Sequence, residues 1–385
     1  MSDNVVPLFG DQPQKKHLSF RKQWIIFITI VVLIFVVLFW YLLSQTTALD
    51  GVKRFFGASE NDYRDIGFTL YGQSDFALVG ESFAVVSQSG LQVFDVDGQM
   101  LLELSDSLMK PAVITSEGYG LMYDLGGTRA VLFDADGEIL FDKRMPGRIF
   151  DASLCQEGLC ALLYEGENCF TAFEVYDEEG EKRYAHHSSS AFLNTCALSP
   201  DGDNAVVGTL GQQDISFLST ARVLKPHSEG IKATYSFGTE LVCALGFLGE
   251  EKIFAIGEET VFFFDIKGEK QAEHTIPWGS VRSFAVCEEL LFVLYEATDK
   301  NRGCALMCFD GEGNVLSTVE AAPTARQLSA SENYVCLTDD EFVSIYDVEL
   351  NLRSRTANNG CLTVLARDDG TALCVGSNGT ELFIP

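Results

Sequence analysis

Positive charge is scarce in this chain. Lys and Arg number 27 against 55 Asp and Glu, and the formal net charge is −28. A surface of that sign repels nucleic acid and anionic lipid headgroups, so no nucleic-acid partner is expected. The common signatures of catalysis are missing as well. There is no Gly-x-x-x-x-Gly-Lys-Ser/Thr loop to cradle phosphates, no His-Glu-x-x-His, and no Gly-x-Ser-x-Gly nucleophile turn. Of the five histidines only His186 and His187 are neighbours, and a pair in a strand-end loop reads as solvated. No Cys-x-x-Cys and no Cys/His cluster occurs, which argues against a zinc site. No catalytic residue, cofactor or metal is therefore expected, and the chain reads as a non-enzyme.

The eleven cysteines are an odd count and are spread over residues 155–374. Most fall inside apolar strand patterns, such as Leu241-Val242-Cys243-Ala244-Leu245 and Tyr334-Val335-Cys336-Leu337. They read as small buried hydrophobes. Cys155 and Cys160 flank a turn. They are either a disulfide across a hairpin or two free thiols. The Asp-x-Asp-Gly turns (Asp95/Asp97, Asp134/Asp136) lack the further oxygen ligands and closing Glu of a calcium loop, so they read as turn chemistry.

What is present begins with one long apolar run. From Trp24 to Leu43 there is no charged residue, and about 20 apolar residues suffice to cross a bilayer. Trp24, Trp40 and Tyr41 suit the two interfaces. A cleaved signal peptide is the competing reading. The apolar region of such a peptide is usually ~7–15 residues long, and no clean small-x-small site follows here. Lys15, Lys16, Arg21 and Lys22 precede the run, whereas Lys53 and Arg54 follow it, a bias that places the N-terminus in the cytoplasm. The expected layout is a cytoplasmic tail (1–23), a transmembrane helix (24–44), a stalk (45–61) and an extracytoplasmic domain (62–385).

That domain is organised by a repeat. Val93-Phe94-Asp95-Val96-Asp97-Gly98 returns as near-copies ending at Phe133, Tyr176, Phe264, Phe309 and Tyr346, with degenerate copies at Phe217 and Phe383. Successive aromatics lie 37 to 47 residues apart. A period near ~40 residues built from short strands is that of a β-propeller. The fold class is all-β, with eight four-stranded blades, or seven if the copy at Phe217 is an insertion. Blade 1 is expected to use 76–79, 83–87, 91–95 and 100–104, and blade 2 to use 112–115, 120–123, 130–133 and 139–142. The chain ends in the third strand of its last blade, and 66–70 has no blade of its own. Pairing the two would close the ring and remove a sheet edge.

The repeated apolar-aromatic-Asp-x-x-Gly unit and the turn Ser199-Pro200-Asp201-Gly202 resemble WD40-like and quinoprotein-like propellers over roughly residues 62–385. The repeats lack the Trp-Asp endings of WD40. Trp278 is the only Trp after the apolar run, so the tryptophan docking motif of quinone-cofactor enzymes is absent. The layout resembles the uncharacterised single-pass membrane-anchored propeller families of Gram-positive bacteria, which carry no assigned activity. It is also similar to the outer-membrane assembly lipoprotein propeller, a protein-docking scaffold, but has no lipobox cysteine.

In a propeller, turns joining strands one to two and three to four share one face. The between-blade connections and the turns joining strands two to three share the other. The first face collects acids: Asp97, Asp136, Glu178, Asp201, Glu250, Glu288 and Asp368 among others. The second holds Lys110, Arg129, Arg144, Arg148, Arg282, Arg302 and Arg326 among some acids. Arg282 and Arg326 would be neighbours at the channel mouth. With Arg148, Lys110 and Trp278 they form the candidate face for a partner or anionic ligand. The competing reading is that these are solvated strand ends. The expected function is an envelope protein-interaction or scaffold module, anchored in the cell membrane by its helix. A ligand-sensing or enzymatic propeller is the alternative, and a structural spacer the third.

Overall fold

The computed structural model describes residues 66–385 apart from 214, 229, 278, 279, 298–302, 378 and 385. The tail, the transmembrane stretch, the stalk, Trp278 and Arg302 lie outside the described residues.

Eight antiparallel sheets succeed one another along the chain, each strand pairing with the next in sequence. Seven sheets have four strands and the eighth has three. The blades span 74–105, 111–144, 149–188, 192–238, 242–275, 281–321, 327–357 and 363–383. The molecule is an eight-bladed propeller, which decides between seven blades and eight. Blade 1 consists of Ser74–Val79, Ser82–Ser87, Gly90–Phe94 and Met100–Ser105, within two residues of expectation at every boundary.

Burial follows strand position in the blade. Second and third strands such as Ser82–Ser87 and Thr171–Tyr176 are buried throughout, because both of their faces meet a neighbouring blade. Fourth strands alternate, as Lys270–Thr275 does, because one face looks outward. The core is divided into eight apolar clusters, one between each pair of adjacent blades. The last joins blade 8 to blade 1 through Leu373, Val375, Phe83, Val85 and Phe94.

Ile66 and Phe68 complete that seam. Both are buried, whereas Gly67 and Thr69 face outward. The Phe68 ring lies 5.8 Å from Phe76 and 5.9 Å from Phe83. The expected pairing of 66–70 with the last strand is not present: among the described residues no ladder joins it to Thr380–Phe383. The segment has the two-residue alternation of a strand, but it closes the ring by side-chain packing.

The repeat motif has a physical explanation in the turn after the third strand. Asp95 Oδ1 accepts from the backbone N–H of Asp97 (3.0 Å) and Gln99 (2.7 Å). Asp134, Asp265 and Asp310 make the same two bonds. The glycine three residues on donates to the Asp carbonyl and takes a positive φ, +78° at Gly98. These carboxylates are spent on their own turns, which agrees with the turn-chemistry reading.

Blade 4 corrects the repeat alignment. Its third strand is Ser216–Leu224, so Leu224, not Phe217, stands where other blades place the aromatic. Lys225 replaces the Asp, and Ser228 N still closes the turn on its carbonyl. Phe217 belongs to an extended hairpin. Ala205–Gln213 and Ser216–Leu224 have nine residues each. Their flanking strands pair with them only as far as Leu210 and Ser219, so 211–213 and 216–218 pair only with each other, as a two-stranded finger.

Cys155 and Cys160 are free thiols. Register explains why. Cys160 lies opposite Leu154, and both face the blade 2–blade 3 cluster. Cys155 faces the blade 3–blade 4 cluster, on the other side of the sheet. Cys243 is exposed, against the expectation of burial. A bulge between Val242 and Ala244 takes it out of the alternation.

Candidate functional site

The two ends of the wheel differ in chemistry. On the acidic face, turn after turn carries Asp or Glu, and Lys225, Lys267 and Arg367 are the basic residues of those turns. On the opposite, crossing face, the innermost strands begin around the axial channel, and Met109, Phe170, Phe192, Ile215, Leu241 and Leu362 are exposed apolar side chains of its turns, connections and strand starts. Others, such as Met100, Ile231, Val315 and Leu352, stand where fourth strands leave the acidic end.

Neighbouring blades are stapled at the crossing face by polar groups at the start of the innermost strands. Asp75 Oδ2 accepts from Val113 N (2.9 Å), tying blade 1 to blade 2. Asp151 Oδ2 accepts from Thr195 Oγ1 (2.8 Å) and Cys196 N (2.9 Å), tying blade 3 to blade 4. Burial pushes both carboxyl groups above the usual Asp range, partly offset by these hydrogen bonds. Tyr123 is also pushed up by burial, with Asp151 and Asp75 adding negative charge nearby.

In blades 3 to 6 the second or third residue of the innermost strand sits in a β-bulge: Phe150, Asn194, Cys243 and Arg282. The extra residue re-aims the side chain. Three of the four reach the next blade or the connection leading to it. The Phe150 ring lies 5.2 Å from Phe192, Asn194 Nδ2 donates to Val242 O (2.7 Å), and Arg282 Nη1 donates to Pro323 O (2.6 Å) and Ala325 O (2.7 Å).

The sequence-derived cations lie on this face but are engaged locally. Arg282 also pairs with Glu296, Arg326 with Asp340 (3.1 Å) and Arg148 with Glu165 (3.0 Å). Arg129 is buried between Asp106 and Asp142, and Arg144 reaches Asp106. The Lys110 side chain is exposed, and its backbone N donates to Asp124. Arg282 reaches the carbonyl of Ala325, the residue before Arg326, whereas Arg148 and Lys110 stand just ahead of the first strands of blades 3 and 2.

A cavity of about 230 Å³ opens at the seam of blades 7, 8 and 1. Leu70, Phe76 and Leu362 give it apolar walls, and Ser74, Asp75, Gln327 and Thr363 give it polar ones. Ser74 Oγ is buried without a hydrogen-bond partner. Sequence reasoning missed these residues, which meet only because the ring closes. The legible signal was an Asp at the start of an otherwise apolar innermost strand, as in Asp75-Phe76-Ala77 and Asp151-Ala152. Among the described residues no cluster of His, Cys, Asp or Glu could hold a metal ion.

The family of unknown function DUF5711 matches residues 66–380. The chain belongs to that family. No curated protein matches this chain. Solved propellers resemble it in fold. The C-terminal WD40 domain of Sif2 aligns with a TM-score of 0.61 at 10% identity, covering 86% of this chain and 100% of that domain. BamB from Moraxella catarrhalis aligns at 0.51 and 12% identity, covering 80% and 95%. The Dos1 propeller aligns at 0.56 and 12% identity, covering 84% and 96%. At such identities the likeness is one of fold.

Proposed function

We propose that this DUF5711 protein is a membrane-anchored, extracytoplasmic docking scaffold that binds an envelope protein through its crossing face. The observation that carries the reading is the division between the two ends of the wheel. The turns and connections of the crossing face carry exposed apolar side chains, whereas the turns of the other end carry carboxylates. Ile215 of blade 4 is 97% exposed, Met109 between blades 1 and 2 is 68% exposed, and Phe170 of blade 3 is 58% exposed. Such residues on a rigid frame fit a protein interface, where a few apolar anchors dominate. The long apolar run supports the anchor, and the positive-inside bias supports the orientation.

The test is cross-linking in native membranes followed by mass spectrometry of partners. Ile215→Asp with Phe170→Ser should remove the main cross-linked partner while leaving the melting temperature unchanged. An unchanged partner set would rule out this face. Arg326→Glu is a cleaner charge probe than Arg282→Glu, because Arg282 also holds two carbonyls of the connection between blades 6 and 7.

A second reading, a ligand sensor at the channel mouth, draws on the cavity and the unpartnered Ser74 hydroxyl. A small-molecule thermal shift abolished by Ser74→Val would favour it over docking.

A further inference from the structure

Three of the eleven cysteines share one inter-blade core. Cys336 lies on Tyr334–Thr338 of blade 7, Cys374 on Ala372–Val375 of blade 8, and Cys361 on the connection between the blades. The local backbone turns Cys361 inward. Asn358 Oδ1 accepts from the N–H groups of Gly360 (3.0 Å) and Cys361 (2.8 Å). Leu362 N then donates to Val375 O (2.8 Å), and the ladder continues with Thr363 opposite Val375 and Val364 opposite Cys374. Cys361 therefore comes to the side of the sheet that carries Val364 and Cys374. Cys361 and Cys374 thus lie on adjoining backbone within one buried cluster, and Cys361 Sγ donates to Thr363 O (2.8 Å).

We propose that Cys361 and Cys374 are a redox modification site, closing to a reversible disulfide at the expense of a small peroxide. Cys361 is the attacking sulfur. The Cys374 thiol, the Val375 N–H and the Arg326 charge hold its pKa below the ordinary thiol value, whereas Cys374 is held above it by Cys361 and by burial. The Cys361 thiolate attacks one peroxide oxygen, the O–O bond breaks, and hydroxide leaves, giving a sulfenic acid. Cys374 gives up its proton and attacks that sulfur. The S–S bond forms as the S–O bond breaks, and water leaves. Overall two thiols and one hydrogen peroxide yield one disulfide and two waters. A thiol reductant reverses the change.

Cys287, Cys304 and Cys308 also share a cluster, as do Cys155 and Cys196, but burial pushes every one of those thiols up, so none is held as a nucleophile. Cys155 and Cys160 face opposite sides of their sheet. Cys304 and Cys308 stand four residues apart on one extended strand and cannot meet. The position also has a consequence. Leu362 and Thr363, next to Cys361, form one wall of the cavity at the channel mouth. The bridge ties that wall to the middle strand of the three-stranded blade. The proposal is independent of the docking reading.

The test is peroxide titration of the full-length protein in detergent, acid quench, alkylation after denaturation, and peptide mapping. The expected product is a Cys361–Cys374 linked peptide pair lighter by two hydrogens. It should form at lower peroxide than any other oxidation except at exposed Cys243, and dithiothreitol should reverse it. Oxidised protein should melt at a higher temperature than reduced protein. In Cys374→Ser, Cys361 should be trapped as a sulfenic acid by dimedone. In Cys361→Ser, neither product should form. Should either variant fail to fold, the wild-type map decides alone. Full alkylation of both thiols once Cys243 is oxidised, or a Cys336–Cys361 bridge, would overturn the proposal.

Discussion

Asp151 shows how a single buried group couples the wheel to pH. Burial raises its folded pKa above the ordinary Asp value of about 3.9. Folding therefore favours the protonated form, and that contribution fades as pH rises from about 4 through the folded pKa. Asp151→Asn should gain stability relative to wild type as pH climbs out of that window, measured by urea titration at pH 4 and pH 7. A pH-independent difference would count against the buried carboxyl. Asp151→Ala should instead cost about 1–3 kcal/mol for each donor it orphans, Thr195 Oγ1 and Cys196 N. Glu174 has the opposite sign. Burial alone would raise its pKa, but hydrogen bonds from Tyr176, Lys182, Tyr164 and His187 outweigh burial and hold it low. Its contribution is present above about pH 4.3 and is lost as pH falls through the folded value. Glu174→Gln should destabilise at neutral pH and converge with wild type in acid. Glu288 sits at φ +50° on the acidic face. Glu288→Gly should raise stability by about 1 kcal/mol, since a left-handed conformation costs a side chain roughly that much. A loss on substitution would show that the carboxylate holds something.

Among the elements, the segment 66–70 and the blade 4 finger call for opposite expectations. Phe68 is buried among Phe76 and Phe83, so Phe68→Ala should cost about 3–5 kcal/mol. Removing 66–70 should expose the seam and bring self-association, read by light scattering. A truncated protein that stays monomeric with an unchanged melting temperature would refute this account of ring closure. The finger tip carries little buried area, so Ile215→Asp should leave stability within about 0.5 kcal/mol. Most elements were legible because every third strand but one ends in an aromatic or closes on an Asp turn. The finger was not. Phe217 matched the repeat in type but not in place, and only pairing could show that Leu224 holds the equivalent position. Bulges were equally hidden, because Cys243 sits in a pattern whose alternation points it inward. The cations Arg282 and Arg326 could be placed on one face from turn parity. Their carboxylate and carbonyl partners could not, because Pro323, Ala325 and Asp340 belong to other strands and loops. Trp278 lies outside the described residues.

At the scale of the whole molecule, charge is distributed by face. Carboxylates crowd the turns of one end, so they repel one another at neutral pH. Raising sodium chloride from 50 mM to 500 mM should raise the melting temperature by screening that repulsion, and a flat response would show that the acids are already compensated. The eight inter-blade clusters share a second property. Each is made by two successive blades except the last, which brings together the two ends of the described chain. The side chains of Ile66 and Phe68 form part of that last joint, and residue 66 is also where the polypeptide leads back towards the apolar run at 24–44. A mechanical load arriving from a tether would thus be delivered to the joint held by side chains rather than by a ladder. Pulled from its N-terminus, the wheel should yield there first and unwind blade by blade, giving a stepwise force–extension trace that begins at 66–70.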